Sequence, residues 1–152
     1  MDQTLRQRLE ADMKTAMRAG DAATRDTVRY ILAAVKNAEI EKRGALATAD
    51  EQAVLRRLGK QLADAVEQYR AGNRAELAQR EQAQLDIVQG YLATEMSDEE
   101  LSALVAAVVA ELGASGPKEM GKVMPVLVER AAGRADGRRL STAAREALAG
   151  RG

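Results

Sequence analysis

Apolar residues along this chain recur at three- and four-residue intervals, the repeat of a helix that buries one face. Leu5, Leu9, Met13, Ala16 and Met17 form the first stripe after Thr4, and Gly20 followed by Asp21 reads as a C-terminal glycine and a new N-cap. A second stripe runs through Val28, Ile31, Leu32, Val35 and Ala38 to Ile40, with Gly44 expected to end it. Thr48 with Glu51 three residues later has the spacing of a capping box, in which two side chains satisfy each other's backbone donors. It predicts a third helix carrying Leu55, Leu58, Leu62, Val66 and Tyr69 as far as Gly72. Asn73 with Glu76 repeats the signal for a fourth helix with Leu77, Leu85, Val88 and Tyr91.

Helices two and three are each about 22 residues, roughly 33 Å at the helical rise. The short loop between them predicts a long antiparallel hairpin, with helices one and four packed against it. After a break at residues 93–96, Ser97 and Glu100 form another capping box, followed by Leu101, Leu104, Val105, Val108 and Leu112. Pro117 suits a first helical position, and Asp136 can cap a last helix containing Leu140, Ala144 and Leu148. The expected fold is therefore all-α, in two helical units: a four-helix domain over residues 1–93 and a three-helix bundle over 97–152.

Composition supports that reading and removes several kinds of chemistry. Aromatic residues make up 2% of the 152-residue chain, all tyrosine, and the β-branched and aromatic runs that mark strands are missing. With neither Cys nor His, there is no thiolate nucleophile, imidazole base or zinc-type ligand set. The longest unbroken apolar run, residues 103–110, is far below the roughly 18 residues of a membrane span. The opening MDQTLRQRLE lacks the apolar core of a signal peptide. No membrane partner and a cytoplasmic location are the expectations.

Charge is balanced overall, 23 basic residues against 23 acidic, but not along the chain. From Pro117 onward there are eight basic residues and four acidic ones, whereas residues 97–116 contain Asp98, Glu99, Glu100 and Glu111 and no Lys or Arg. Asp and Glu belong in the first turn of a helix, which accounts for 98–100 without a metal. Within the basic quarter, GPKEMGKV at 116–123 comes within one residue of a phosphate-cradling loop. That loop, however, follows a strand and ends in Ser or Thr, where this chain has a helix and Val123. No nucleotide, metal or other cofactor is expected. Two residues further on, Pro125 removes a backbone donor and crowds the carbonyl of Gly121, so a kink or break is expected there, with room for another backbone or a phosphate above Gly121.

MGKVMPVLVERAAGRADG, residues 120–137, resembles the signature of the YqeY-like family. DMKTAMRAGD at 12–21, VRYILAAVKNAEIEKRG at 28–44 and YLATEMSDEEL at 91–101 extend the resemblance over almost the whole chain, and GRADG is its most specific part. Pro125 stands where the family usually has glycine, Val128 and Ala93 where it has proline, and Ala132 where it has lysine. The resemblance implies a GatB/YqeY-like architecture similar to the tail of the B subunit of the tRNA-dependent amidotransferase, which helps hold tRNA. Carried over, it implies RNA-binding roles for Lys118, Lys122, Arg134 and Arg138, with Gly121, Gly133 and Gly137 shaping the backbone.

The expected function is thus a non-catalytic tRNA-binding or tRNA-handling accessory protein. Its partners would be tRNA and an amidotransferase or aminoacyl-tRNA synthetase complex, with no DNA. Kinship alone would make it a component of a carbon-nitrogen ligase with glutamine as amido-N-donor, since no catalytic residue is legible. A helical protein-interaction adaptor is the other alternative. Lys118 and Lys122, like Arg130 and Arg134, are four apart and would share a helix face, supplying salt-dependent phosphate contacts.

Overall fold

A computed structural model describes residues 3–150 and shows, among them, seven α-helices and no strand. These are α1 (Leu5–Ala19), α2 (Ala22–Lys42), α3 (Thr48–Ala71), α4 (Ala75–Gln89), α5 (Asp98–Leu112), α6 (Met120–Ala131) and α7 (Gly137–Ala149), with a 3₁₀ turn at Pro117–Glu119. The chain divides into two compact units. One comprises Met1–Leu46 and Ala53–Leu92; the other joins Ala93–Gly152 with Ala47–Gln52, the opening of α3. The second unit is thus discontinuous in sequence.

In the first unit, α1 packs closely on α2 across the Gly20 turn, and α2 also lies against α4. Gly20 adopts a left-handed conformation at φ 71°, and Asp21 accepts from the Thr24 backbone N–H, so the helix exit and entry occupy adjacent residues. Leu9, Val28, Ile31, Leu55 and Val88 are completely buried in the core. Each such side chain contributes about 1.5–3 kcal/mol relative to exposure. Tyr91 closes the core and donates its hydroxyl hydrogen to Asp12, with the Arg8 guanidinium 5.1 Å from its ring centroid. Burial first, then the Asp12 contact, raises the phenol above its usual pKa.

The second unit is built from α5, α6 and α7, each packed on the other two. Val105, Val108 and Val109 of α5 meet Val123 and Leu127 of α6 and Leu140, Ala144 and Leu148 of α7. Ser97 and Glu100 form the expected capping box at α5, and Asp136 caps α7 by accepting from the Arg139 N–H. Among the described residues no single helix is long and apolar enough to cross a membrane. The one bent pair of comparable apolarity, α5 with Pro117–Ala131, directs its valines and its leucines other than the exposed Leu112 into the unit's own core.

Several helix ends depart from the sequence reading. The left-handed residue after α2 is Arg43, not Gly44, and α3 begins at Thr48 itself, one residue too early for Thr48 to be its cap. There the Asp50 carboxylate accepts from the Ala47 N–H. Asn73 is not the N-cap of α4 either; it takes the left-handed turn position at φ 58°, which Asn tolerates better than most residues, and Arg74 takes the cap position without a side-chain bond. Met17 and Ile40, expected on buried stripes, are 56% and 73% exposed. Ile40 lies about 140° around α2 from Val35 at the 100° per residue of a helix.

No break occurs at Pro125: α6 runs continuously from Met120 to Ala131. The donor that Pro125 lacks would have met the carbonyl of Gly121, which is exposed, so water can serve that carbonyl. No close approach uses Gly121, since a Cβ there would meet nothing within 4 Å. Strain appears instead at the other end, where Ala132 is held at φ 50°. A left-handed alanine costs about 1 kcal/mol relative to glycine. Ala132→Gly is accordingly expected to stabilise the second unit by about that amount, measured as a raised urea midpoint at unchanged m-value.

Candidate functional site

Residues 132–136 connect α6 to α7, with 137–139 the first turn of α7, and their conformation follows from the two helix ends. Ala132 and Gly133 are both left-handed, reversing the chain after Ala131; Ala135 is buried, and Asp136 starts α7. Gly133 is required on two counts. Its φ is 79°, and a Cβ placed on it would sit 2.3 Å from Cγ and 2.6 Å from Cβ of Gln52, which belongs to the same compact unit. Gln52 is itself buried and accepts from the Ala93 backbone N–H at 2.7 Å.

The arginines of this turn hold the segment that leads into α5. Arg134 donates through Nε to the Thr94 carbonyl at 2.9 Å and through Nη2 to Glu100 at 2.8 Å, while its own carbonyl accepts from the Met96 N–H. Arg139 donates through Nη1 to the Met96 carbonyl at 2.9 Å and through Nη2 to Asp98 at 3.0 Å. A carboxylate also holds Arg130, which is bonded to Glu111. The Glu100 carboxyl lies below the ordinary carboxylate range, first because it accepts from the Ser97 backbone and second because of Arg134. Glu111 is lowered by Arg130.

The four RNA-binding candidates therefore do not stand alike. Arg134 is occupied by Glu100 and Thr94 and is only partly exposed; it does not pair with Asp136, whose carboxylate caps α7. Lys122 is 67% exposed and reaches only 3.9 Å from Glu119. Lys118 and Arg138 are exposed and make no salt bridge among the described residues. Arg151 lies outside the described residues.

Nor do the four share one helix face. Lys118 sits in the 3₁₀ turn and Lys122 in α6, so the four-residue spacing does not fall on one α-helix; Arg134 lies past the end of the helix bearing Arg130. The length of α6, about 18 Å at the helical rise, separates Lys118 and Lys122 at its start from Arg134 and Arg138 beyond its end. Gly137 opens α7 with nothing within 4 Å of a notional Cβ, so of the three glycines only Gly133 is sterically demanded.

Arg139 and Gln52 were missed by the sequence reading. A signal for Arg139 existed, because residues 97–116 carry carboxylates without a single local cation, so any ion pair they form must be with a residue distant in sequence. Gln52 had none, since its contact spans 81 residues. Among the described residues no cluster of three or more His, Cys, Asp and Glu could hold a metal ion.

Residues 6–148 match the family model described as "Yqey-like protein". Similar curated proteins share the name "Altered inheritance of mitochondria protein 41, mitochondrial". The one from Lachancea thermotolerans is 33% identical over 114 residues, covering 72% of this chain and 60% of that protein. The one from Pyrenophora tritici-repentis is 30% identical over 130 residues, 84% and 71% of the two chains. For Meyerozyma guilliermondii the figures are 38% over 87 residues, 55% and 44%. This chain thus spans less than two thirds of the Lachancea and Meyerozyma proteins, which their names place in mitochondria.

Proposed function

The chain belongs to the YqeY-like family, and from that premise we propose that it is a non-catalytic accessory module that handles tRNA. The observation that carries this reading is the division of labour in the basic C-terminal unit. Arg134 and Arg139 hold the backbone at residues 94–96, while Lys118, Lys122 and Arg138 keep their charges at the surface. Phosphate contact needs mobile, accessible cations, and the surface ones lie far enough apart to follow a nucleic-acid backbone and not a single phosphate. No aromatic residue follows Tyr91, so contact is through backbone and shape, with no base stacking. Arg134 then acts as a positioning residue. Association with an amidotransferase or synthetase complex belongs to the same proposal, as does residence in a compartment where tRNA is charged, cytoplasm or mitochondrial matrix.

Titrating tRNA at several salt concentrations tests it. The expected result is a steep decline of affinity with salt, the slope falling by about one for Lys122→Ala and again for Arg138→Ala. A flat salt dependence, or slopes untouched by these changes, overturns the RNA reading. Release of ammonia from glutamine by the pure chain would instead restore the ligase alternative.

A further inference from the structure

A row of cations that form no salt bridge among the described residues runs along α2 and its C-cap, in the first unit. Arg29, Lys36 and Arg43 follow one another at intervals of seven residues, and Ala33 and Ile40 fall between them. At 100° per residue the four helical positions, 29, 33, 36 and 40, occupy an arc of about 60° and extend about 16 Å along the axis, and Arg43 follows as the left-handed residue that ends α2. All five are exposed, and none of the three cations forms a salt bridge among the described residues. Of the neighbouring carboxylates, Asp26 is bonded to Arg25 and feels the charge of Arg29 only more weakly, and Glu39 pairs with Arg6 at 3.2 Å. Ile40 is the most exposed large aliphatic side chain of the first unit. Beside it an open groove of about 540 Å³ is lined by Lys36, Arg43, Gly44 and Ala45 together with the Arg6–Glu39 pair.

We infer that this face of α2 docks an acidic amphipathic helix of a partner protein. Charge complementarity sets the sign of the partner, since carboxylates opposite a row of three cations without salt bridges complement its potential. The interleaved apolar positions set its class. A nucleic-acid backbone would leave Ile40 against phosphates, whereas a helix that alternates carboxylates with aliphatic residues at the same seven-residue repeat buries Ile40 in an apolar seam and satisfies the cations beside it. The open groove next to Ile40 receives one aliphatic side chain of the partner. This surface is separate in sequence and in unit from Lys118, Lys122 and Arg138, so either proposal can fail without the other.

The test uses the whole chain and a labelled 21-residue helical peptide with Glu at positions 1, 8 and 15 and Leu at 5 and 12, compared with a scrambled peptide of identical composition. Fluorescence anisotropy is expected to show the scrambled peptide binding at least tenfold more weakly. Ile40→Ser, which leaves the charge unchanged, lowers affinity about fivefold. Reversing Arg29, Lys36 and Arg43 together to Glu abolishes binding of the acidic peptide, and a peptide with Lys in place of its three Glu binds that variant, which shows the reversed chain to be folded. Equal binding of ordered and scrambled peptides overturns the proposal, as does indifference to Ile40→Ser. Failure of the acidic peptide to bind while the triple reversal abolishes tRNA binding would assign the face to nucleic acid instead.

Discussion

Gly133→Ala is expected to destabilise the second unit by about 3 kcal/mol, the sum of a left-handed alanine and an overpacked contact. The new Cβ would stand 2.3 Å from Gln52 Cγ and 3.3 Å from the Thr48 carbonyl. Those atoms are side-chain base and backbone, which cannot swing aside as the far end of a flexible side chain can. Relief requires Gln52 to move, which gives up its bond to the Ala93 N–H. Amide hydrogen exchange in α6 and α7 reads the effect, with protection falling by about two orders of magnitude. Gly121→Ala in the same helix-rich segment is the contrast: it meets nothing within 4 Å, its φ is not positive, and it should stabilise by up to about 1 kcal/mol. Equal effects from the two alanines would refute the steric account of Gly133.

Arg134→Ala is the second large effect, a loss of about 2 kcal/mol that comes chiefly from the hydrogen bond to the Thr94 carbonyl and from the packed side-chain stem. The ion pair with Glu100 adds little at ordinary salt, because both side chains are more than a third exposed. Arg138→Ala, by contrast, should change stability by less than about 0.5 kcal/mol while weakening RNA binding. Urea unfolding of both variants at low and high salt separates the backbone bond, which salt does not screen, from the ion pair, which it does.

The pH dependence has a definite sign. Glu100 is depressed in the folded chain by the Ser97 backbone and by Arg134, so the unfolded state binds its proton more readily. The stabilisation is complete above the unfolded value of about 4.3 and disappears as pH falls through the lower folded value. Glu100→Gln should flatten the acid limb of the stability curve and leave stability above pH 6 without further slope.

The turn at 132–139 explains how a motif can look like a ligand site and be partly structural. Arg134 and Arg139 flank the exposed Asp136 and Gly137, a setting that suits phosphate-binding arginines, yet their donors end on Thr94, Met96, Asp98 and Glu100. Their job is to fix the entry to α5. What is left over for a ligand is the set of cations whose reach is not taken: Lys118, Lys122 and Arg138 in the C-terminal unit, and Arg29, Lys36 and Arg43 along α2 and its C-cap.

Helical class, the number of helices and most of both cores were legible in the sequence because they depend on periodicity and on caps acting within four residues. Thr4, Asp21, Ser97 and Asp136 each close a bond to a near neighbour, so their letters suffice. Where two nearby residues compete for one role, as Arg43 with Gly44 or Ala47 with Thr48, the letters do not decide, since energies of a few tenths of a kcal/mol separate the choices. Long-range partnerships belong to tertiary structure alone. Nothing local says that Gln52 fills the space beside Gly133, that Arg134 reaches back to Thr94, or that Arg29, Lys36 and Arg43 form no salt bridge among the described residues. A cation's availability depends on which acids the fold brings within 4 Å, and that is a property of packing, not of spacing along the chain.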